Sequence, residues 1–502
     1  MKVRPATEAR MSTIYQPLPE FPAHSAQDPG LLRAVSEGQA RLTPEQGLEL
    51  LTNAPLHTLG RYADARCRTI HGDHVRTFII DRNINYTNIC TAKCIFCAFK
   101  RKGDEHDAYT LEHEQLYQKV QELSDIGGTQ ILMQGGMNPN LPLDWYLELL
   151  NGIRERFPHV KIHAFSPPEL IEFVHFFNPP GKTLVEKVQW VLIRLKEAGM
   201  GSLPGGGGEI FAPAVRTKIG LGKCDMDAWL QVMYAAHSLG MFTSASMMYG
   251  HIEGYADRIH HMRSVRYWQD KAISDFGTGQ VPTQVASDPT VKHPETGGHY
   301  LGFISWPFQP DNTSLGRVPQ WPTADDFNPE TGETLPFPGD VVAKLDGSGT
   351  KDMDNRFGRR LRLAGSTEYL RTQAVSRLMM DNIYSIGSSW VTMGPHIGQV
   401  ALRYGANDMG SVMMEENVVS SAGTTYCLDE AVLCRLIRNA GFIPAQRDTV
   451  YDVIKTHTGP NSPDLRVTDW SQHRTKRLHI ESDSEKASTV SVTIGASDTA
   501  DS

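Results

Sequence analysis

Cys90, Cys94 and Cys97 stand in the stretch DRNINYTNICTAKCIFCAF with the spacing C-x3-C-x2-C. Three thiols within so short a loop point to metal or redox chemistry. A [4Fe–4S] cluster normally takes four thiolates, one on each iron. Three ligands leave one iron open, and an open position is what a catalytic metal presents to a substrate or cosubstrate. A structural zinc site would need a fourth ligand, for which His106 and His113 are the nearby candidates. A plant-type ferredoxin has its own spacing and a further distant cysteine. The spacing favours the open cluster over both. Cys67, Cys224, Cys427 and Cys434 are scattered and read as small apolar fillers.

Such a loop must be held by regular elements, and the sequence alternates strand-like with helix-like segments around it. An apolar run at Phe78–Ile84 precedes the cysteines, and a helical pattern over Leu111–Ile126 follows. Strands are then expected at Thr129–Gln134, Lys161–Phe165, Gly201–Leu203, Phe242–Tyr249, Leu301–Ser305, Ser388–Met393 and Ser411–Met414. Helices are expected between them, over Asp144–Arg156, Leu184–Ala198, Met226–Leu239, Ala256–Trp268, Glu368–Met380, Ile397–Tyr404 and Asp429–Asn439. About eight strand–helix units make a (β/α)8 TIM-type barrel in the α/β class, with a doubly wound open sheet as the competing architecture.

The expected organisation is a loose arm over 1–35, N-terminal helices over 36–74, a barrel over 75–468 and a disordered tail over 469–502. Two Gly-, Pro- and Asp-rich stretches, about 274–300 and 316–359, read as loop insertions. An apolar share of 40% in 502 residues allows a sizeable core. The net charge of −8 argues against broad binding of nucleic acid or anionic membrane. With no secretory signal and no apolar run long enough to span a bilayer, a cytoplasmic setting is expected.

The cysteine loop resembles the signature of the radical S-adenosylmethionine (SAM) superfamily. That resemblance implies a [4Fe–4S] cluster on Cys90, Cys94 and Cys97, whose open iron is chelated by the cosubstrate's amino and carboxylate groups. It also implies that Gln134, Gly135 and Gly136, closing the second strand, form the turn that meets the methionyl amino group. Glycines there let backbone approach a ligand without a Cβ in the way. Phe96, within the cysteine loop, and Ser166, ending HAFS, are further candidate cosubstrate contacts. The run Gly205–Gly208 is a flexible strand-end loop and not a Walker loop, since no Lys-Ser/Thr follows. His251 and Glu253, just past the fifth strand, sit where barrel enzymes gather site residues.

A closer resemblance rests on NINYTNIC, QGGMNP, HAFSPPE, LPGGGGEI, MMYGH and WPFQPDNT, with GPHIGQVALRYGANDMGSVMMEENV near the C-terminus. In this order they are similar to the cyclic dehypoxanthinyl futalosine synthase family of menaquinone biosynthesis, over most of Ser36–Ile454. Two sister families share the cysteine loop: aminofutalosine synthase and the deazaflavin synthase subunit that couples tyrosine to a pyrimidine. Trp306–Thr313 resembles the cyclase. The family's reaction implies hydrogen abstraction from the ribose of dehypoxanthine futalosine, attack on the benzoate ring, and loss of a proton and an electron. It implies an external electron donor such as a flavodoxin or ferredoxin. The substrate carboxylate calls for a cationic or amide clamp, with Arg216, Gln309 and Asn312 as candidates by position. Glu209, Glu253 and His251 are the candidate catalytic residues, either glutamate being placed to accept the proton. From a different class, a non-catalytic iron–sulfur or zinc scaffold would retain the cysteines without needing the QGG turn.

Overall fold

The computed structural model describes residues 17–20, 25–276, 297–349, 360–424, 426–471 and 473. Their strands are β1 (Val75–Ile79), β2 (Asp81–Ile84), β3 (Gln130–Met133), β4 (Lys161–Ala164), β5 (Met200–Leu203) and β6 (Phe242–Tyr249). They continue as β7 (Tyr300–Pro307), β8 (Ser385–Gly387), β9 (Asp408–Ser411), β10 (Ile443–Arg447) and β11 (Val453–Thr456). β2 to β9 pair in chain order, each parallel to the next. Parallel strands bury both faces: β3 (QILM) reads as an apolar run, whereas β2 (DRNI) buries Asp81, Arg82 and Asn83 beside Ile84.

The ring is joined by one stretch of chain. β1 and β2 are consecutive halves of 75–84, interrupted only at Ile80. Thr77 and Ile79 in the first half pair with Asp408 and Ser411 of β9. Asp81 to Ile84 in the second half pair with Gln130 to Met133 of β3. The eight-stranded barrel is therefore the architecture, and the open doubly wound sheet is not. β10 adds in parallel beside β1, and β11 pairs antiparallel to β10.

Crossover helices follow the strands: α4 (His113–Asp125), α5 (Leu143–Arg156), α6 (Pro167–Phe177), α7 (Leu184–Ala198), α8 (Pro213–Ile219), α9 (Met226–Ser238) and α10 (Tyr255–Phe276). Thr183 and Glu186 form a capping box that starts α7, and Asp225 caps α9. α6 and α8 were not expected; each begins at a proline that suits the first helical turn.

Two expected strands differ. Ser388–Met393 is not a strand: β8 ends at Gly387, and Trp390–Met393 winds into a helical turn. The last barrel strand lies three residues earlier than expected, at Asp408–Ser411. The arm expected to be loose carries α1 (Pro29–Ser36), capped by Asp28 and burying Leu31, Leu32 and Val35. α2 (Pro44–Asn53) packs on α10, and α3 (Leu56–His71) packs on the helix Ser366–Met379. Buried Arg41 bridges Asp270 and Asp381, so these helices sheathe the barrel.

The first insertion lies largely outside the described residues. In the second, the short helix Pro338–Val342 folds onto the barrel, with Asp340 paired to Arg362. Of the tail, only 469–471 and 473 are described. No described helix is long and apolar enough to cross a membrane.

Candidate active site

The cysteine loop leaves the end of β2 and is anchored by its own backbone. Thr91 N donates to Met137 O at 3.1 Å, Lys93 N to Leu221 O at 2.8 Å and Ile95 N to Ile219 O at 2.9 Å. The loop thereby hangs over a cavity of about 470 Å³ whose wall includes Cys90, Cys94 and Cys97. The three thiols pack around Ala92 and Met137. Among the described residues, no three His, Cys, Asp or Glu side chains are grouped as a set for one metal ion. His106 and His113 are not in the cavity wall.

Phe96, Gln134, Gly135, Gly136 and Ser166 all line the same cavity. A Cβ on Gly136 would overlap the Ile89 carbonyl oxygen, so only glycine lets the QGG turn lie against the cysteine loop. A Cβ on Gly206 would likewise overlap the Gln134 side chain, which brings the Gly205–Gly208 run onto that turn. Phe165 holds a φ of 62°, a sharp departure for an aromatic residue at a strand end. Ser166 follows it into the cavity.

Glu169 ties these pieces together. Its carboxylate accepts from Tyr86 Oη at 2.7 Å, from Gly135 N at 3.1 Å and from Ser166 Oγ at 2.6 Å. Burial pushes its pKa up to about 7, against the opposing effect of those hydrogen bonds. Burial also raises the Cys94 thiol to about 11 and moves Cys90 in the same direction. Deeper in the barrel, His163 is held neutral by burial, at about 3, beside Ser202 Oγ at 2.6 Å.

The remaining sequence candidates separate. Glu209 lines the cavity but is paired with Lys223, Nζ to Oε1 2.7 Å, and adopts a left-handed φ of 42°. His251 and Glu253 are buried outside the cavity wall. Glu253 folds back to accept from Gly250 N, His251 N and Arg258 Nε at 2.7 to 2.8 Å, which serves the β6–α10 turn. Despite burial, its contacts with His251 and the Arg258 guanidinium hold its carboxyl well below the usual range. His251 Nδ1 accepts from Ile252 N at 2.8 Å.

Arg216 also lies outside the wall. It braces the glycine run from behind, donating to Gly207 O at 2.9 Å, Gly208 O at 2.7 Å and Cys224 O at 2.8 Å. Gln309 donates to Pro307 O at 3.0 Å, and exposed Asn312 to Ser421 O at 3.0 Å, neither facing the cavity. Of the WPFQPDNT segment, Trp306 is the residue in the wall. Sequence reasoning missed Glu169, Lys223 and the wall residues Asn83, Lys100 and Glu416. HAFSPPE contains Glu169 and MMEENV contains Glu416, but nothing in either motif says which way the side chain points.

Comparison with known proteins agrees with this geometry. A model of the radical SAM superfamily matches residues 84–265, and one of the CofH/MqnC C-terminal region matches 349–459. Cyclic dehypoxanthine futalosine synthase of Halalkalibacterium halodurans is 36% identical, covering 85% of this chain and 95% of its own. That of Streptomyces coelicolor is 34% identical, with 88% and 92% covered. Aminodeoxyfutalosine synthase of Thermus thermophilus is 32% identical, with 86% and 97% covered. In fold, the crystal structure of methylornithine synthase matches with a TM-score of 0.52 at 18% identity, over 82% of this chain and 97% of that one. A [4Fe–4S] cluster and SAM are the cofactors that the radical SAM match implies, and a thiol-lined cavity meeting a Cβ-free turn fits them. The chain belongs to the cyclic dehypoxanthine futalosine synthase family of radical SAM enzymes.

Proposed function

We propose that this enzyme closes the ring of dehypoxanthine futalosine to give cyclic dehypoxanthinyl futalosine, a step of the futalosine route to menaquinone. The observation that carries it is the convergence of Cys90, Cys94 and Cys97 with the Gln134–Gly136 turn on one barrel cavity. In this reading the three cysteines hold the cluster, and Phe96, Gln134, Gly135, Gly136 and Ser166 hold the cosubstrate. When bound, these groups supply a 5′-deoxyadenosyl radical and a one-electron couple.

The chain's own contribution is orientation and exclusion of water. Leu132, Ile304, Trp306, Trp390 and Met409 line the wall and keep a reactive carbon away from solvent. Among the described residues, Lys100, Lys223 and Arg447 are the cationic side chains that face the cavity. Lys223 is paired with Glu209 and Arg447 with Asp408. Lys100 has no ionic partner among the described residues, and in this reading it takes the substrate carboxylate in place of Arg216. A cytoplasmic setting and an external donor such as a flavodoxin or ferredoxin belong to the same proposal.

Anaerobic reconstitution, followed by SAM, dithionite and dehypoxanthine futalosine, tests it. The expected result is 5′-deoxyadenosine together with a product two hydrogens lighter than the substrate, both lost in Cys94→Ala. Turnover of an enolpyruvyl benzoate instead would favour the aminofutalosine sister, and no cosubstrate cleavage by fully loaded protein would leave only a scaffold.

A further inference from the structure

Ring closure as proposed above ends with a proton leaving the benzoate ring, and that proton needs an acceptor in the cavity. Among the described residues the wall carries five carboxylates and one imidazole, His163. Four of the carboxylates have both oxygens engaged. Asp81 accepts from Ser411 and Gln130, Asp408 from Thr77, Gly410 and Arg447, Glu169 from Tyr86, Gly135 and Ser166, and Glu416 from Asn83, Val418 N and Val419 N. The fifth, Glu209, is held by Lys223 beside the cysteine loop. None of the five is more than 6% exposed.

His163 differs in its access. It lies on β4 between Ile162 and Ala164, which are sealed in the core on the outer face, so strand alternation turns it towards the barrel axis. Its register partners, Leu132 on β3 and Ser202 on β5, line the same cavity. The ring is only half-buried, and the surface it keeps opens on that cavity. Nδ1 lies 2.6 Å from Ser202 Oγ. Nε2 has no partner among the described residues and, unlike both nitrogens of His261, is not sealed from the cavity. The Ser202 backbone also favours the ring's N–H. These contacts assign the ring proton to Nδ1 and leave the Nε2 lone pair for the cavity.

Depth fits the substrate. Leu132, level with His163, is two residues before Gln134, so the imidazole sits one strand repeat, about 7 Å, below the QGG turn. We propose that His163 Nε2 takes the proton that the benzoate ring loses as the closed ring regains aromaticity. This rests on the function proposed above. The ring C–H bond breaks, its electron pair stays in the ring and its proton moves to Nε2. The one surplus electron leaves to a one-electron acceptor of the iron–sulfur class. Loss of that proton restores an aromatic ring, so a weak neutral base suffices. Burial and the nearby Arg447 charge disfavour the imidazolium, which readies it to pass its proton to water once product leaves.

His163→Gln keeps a polar side chain and removes the base. With reconstituted enzyme, SAM, reductant and dehypoxanthine futalosine, it should still form 5′-deoxyadenosine, while cyclised product per 5′-deoxyadenosine falls on the order of 100-fold. Iron content and the Kd values for SAM and substrate should match the wild type. Deuterium at the ring position that loses its hydrogen should leave wild-type product formation unslowed and should slow it in His163→Gln. Added imidazole should restore part of the product yield to His163→Ala, which covers the case of a poorly folded glutamine variant. Product and 5′-deoxyadenosine falling together in both variants would make His163 a structural residue and overturn the assignment. Undiminished product yield would do the same. The isotope effect arising in Glu209→Gln instead would move the role to that carboxylate. Wild-type enzyme that cleaves SAM but forms no cyclised product would remove the functional reading beneath.

Discussion

Lys223 Nζ lies 2.7 Å from Glu209 Oε1, the half-buried lysine meeting a buried carboxylate at the cavity wall, and both are close enough to Cys94 for their charges to act on it. Glu209 is therefore one half of an ion pair at the cavity wall. Removing one partner of a buried pair leaves an uncompensated charge, so Lys223→Met should cost about 3–5 kcal/mol of stability. The double variant Lys223→Met/Glu209→Gln should cost clearly less than the sum of its parts. Anaerobic urea denaturation of the four proteins checks this; additive losses would mean that the two charges do not interact.

A second carboxylate gives a pH signature. Glu169 has its pKa raised from about 4.5 to about 7 in the folded protein, so the folded state holds a proton that the unfolded state has lost. Between those values stability should fall as pH rises, then level off, by up to about 3 kcal/mol. Glu169→Gln, which can still serve Tyr86 and Gly135 through one oxygen, should lack that slope. Comparing unfolding midpoints at pH 5 and pH 8 for both proteins isolates the difference, and parallel profiles would rule the glutamate out as its source.

Much of the barrel was legible because β1, β3, β6 and β7 carry apolar runs and the strands are separated by long helices. The end was harder. Ser385–Gly387 is too short to show a period, and the apolar residues of SSWVTM belong to a helical turn. β9 includes Asp408 and Gly410, both poor strand formers, so the better-looking SVMM drew the assignment away. The Asp28-Pro29 start of α1 was a readable cap signal inside a stretch whose composition suggested disorder. At the site, cysteine spacing and the QGG turn are properties of local sequence. Strand-end position does not tell which way a side chain turns, and so His251 and Glu253 fold back on their own loop while Glu169 and Lys223 enter the cavity unannounced.

Arg216 acts through the glycine run, since its guanidinium holds the carbonyls of Gly207, Gly208 and Cys224 at once. Lysine has one nitrogen and cannot span three acceptors. Arg216→Lys should leave the fold intact and weaken SAM binding on the order of 10-fold, by loosening a loop that rests on Gln134. Equilibrium SAM binding at matched iron content measures it. Unaltered affinity would show that the loop holds its shape without the arginine.

The closest tolerance in the site is at Gly136, where an added Cβ would overlap Ile89 O and come within 3.1 Å of Cys90 Cβ. Both neighbours belong to the loop that carries the cysteines, and Ile89 O is backbone, which cannot swing aside. Gly136→Ala should therefore displace the cysteine loop more than it harms the fold. The expected outcome is a large loss of iron per chain and of the reduced-cluster electron paramagnetic resonance signal, with the unfolding midpoint changed little. Gly365→Ala is the control: it precedes the helix Ser366–Met379, its added Cβ meets nothing within 4 Å, and cluster loading should match the wild type. Equal loading in both variants would mean that the turn and the cysteine loop do not share the close contact that this site depends on.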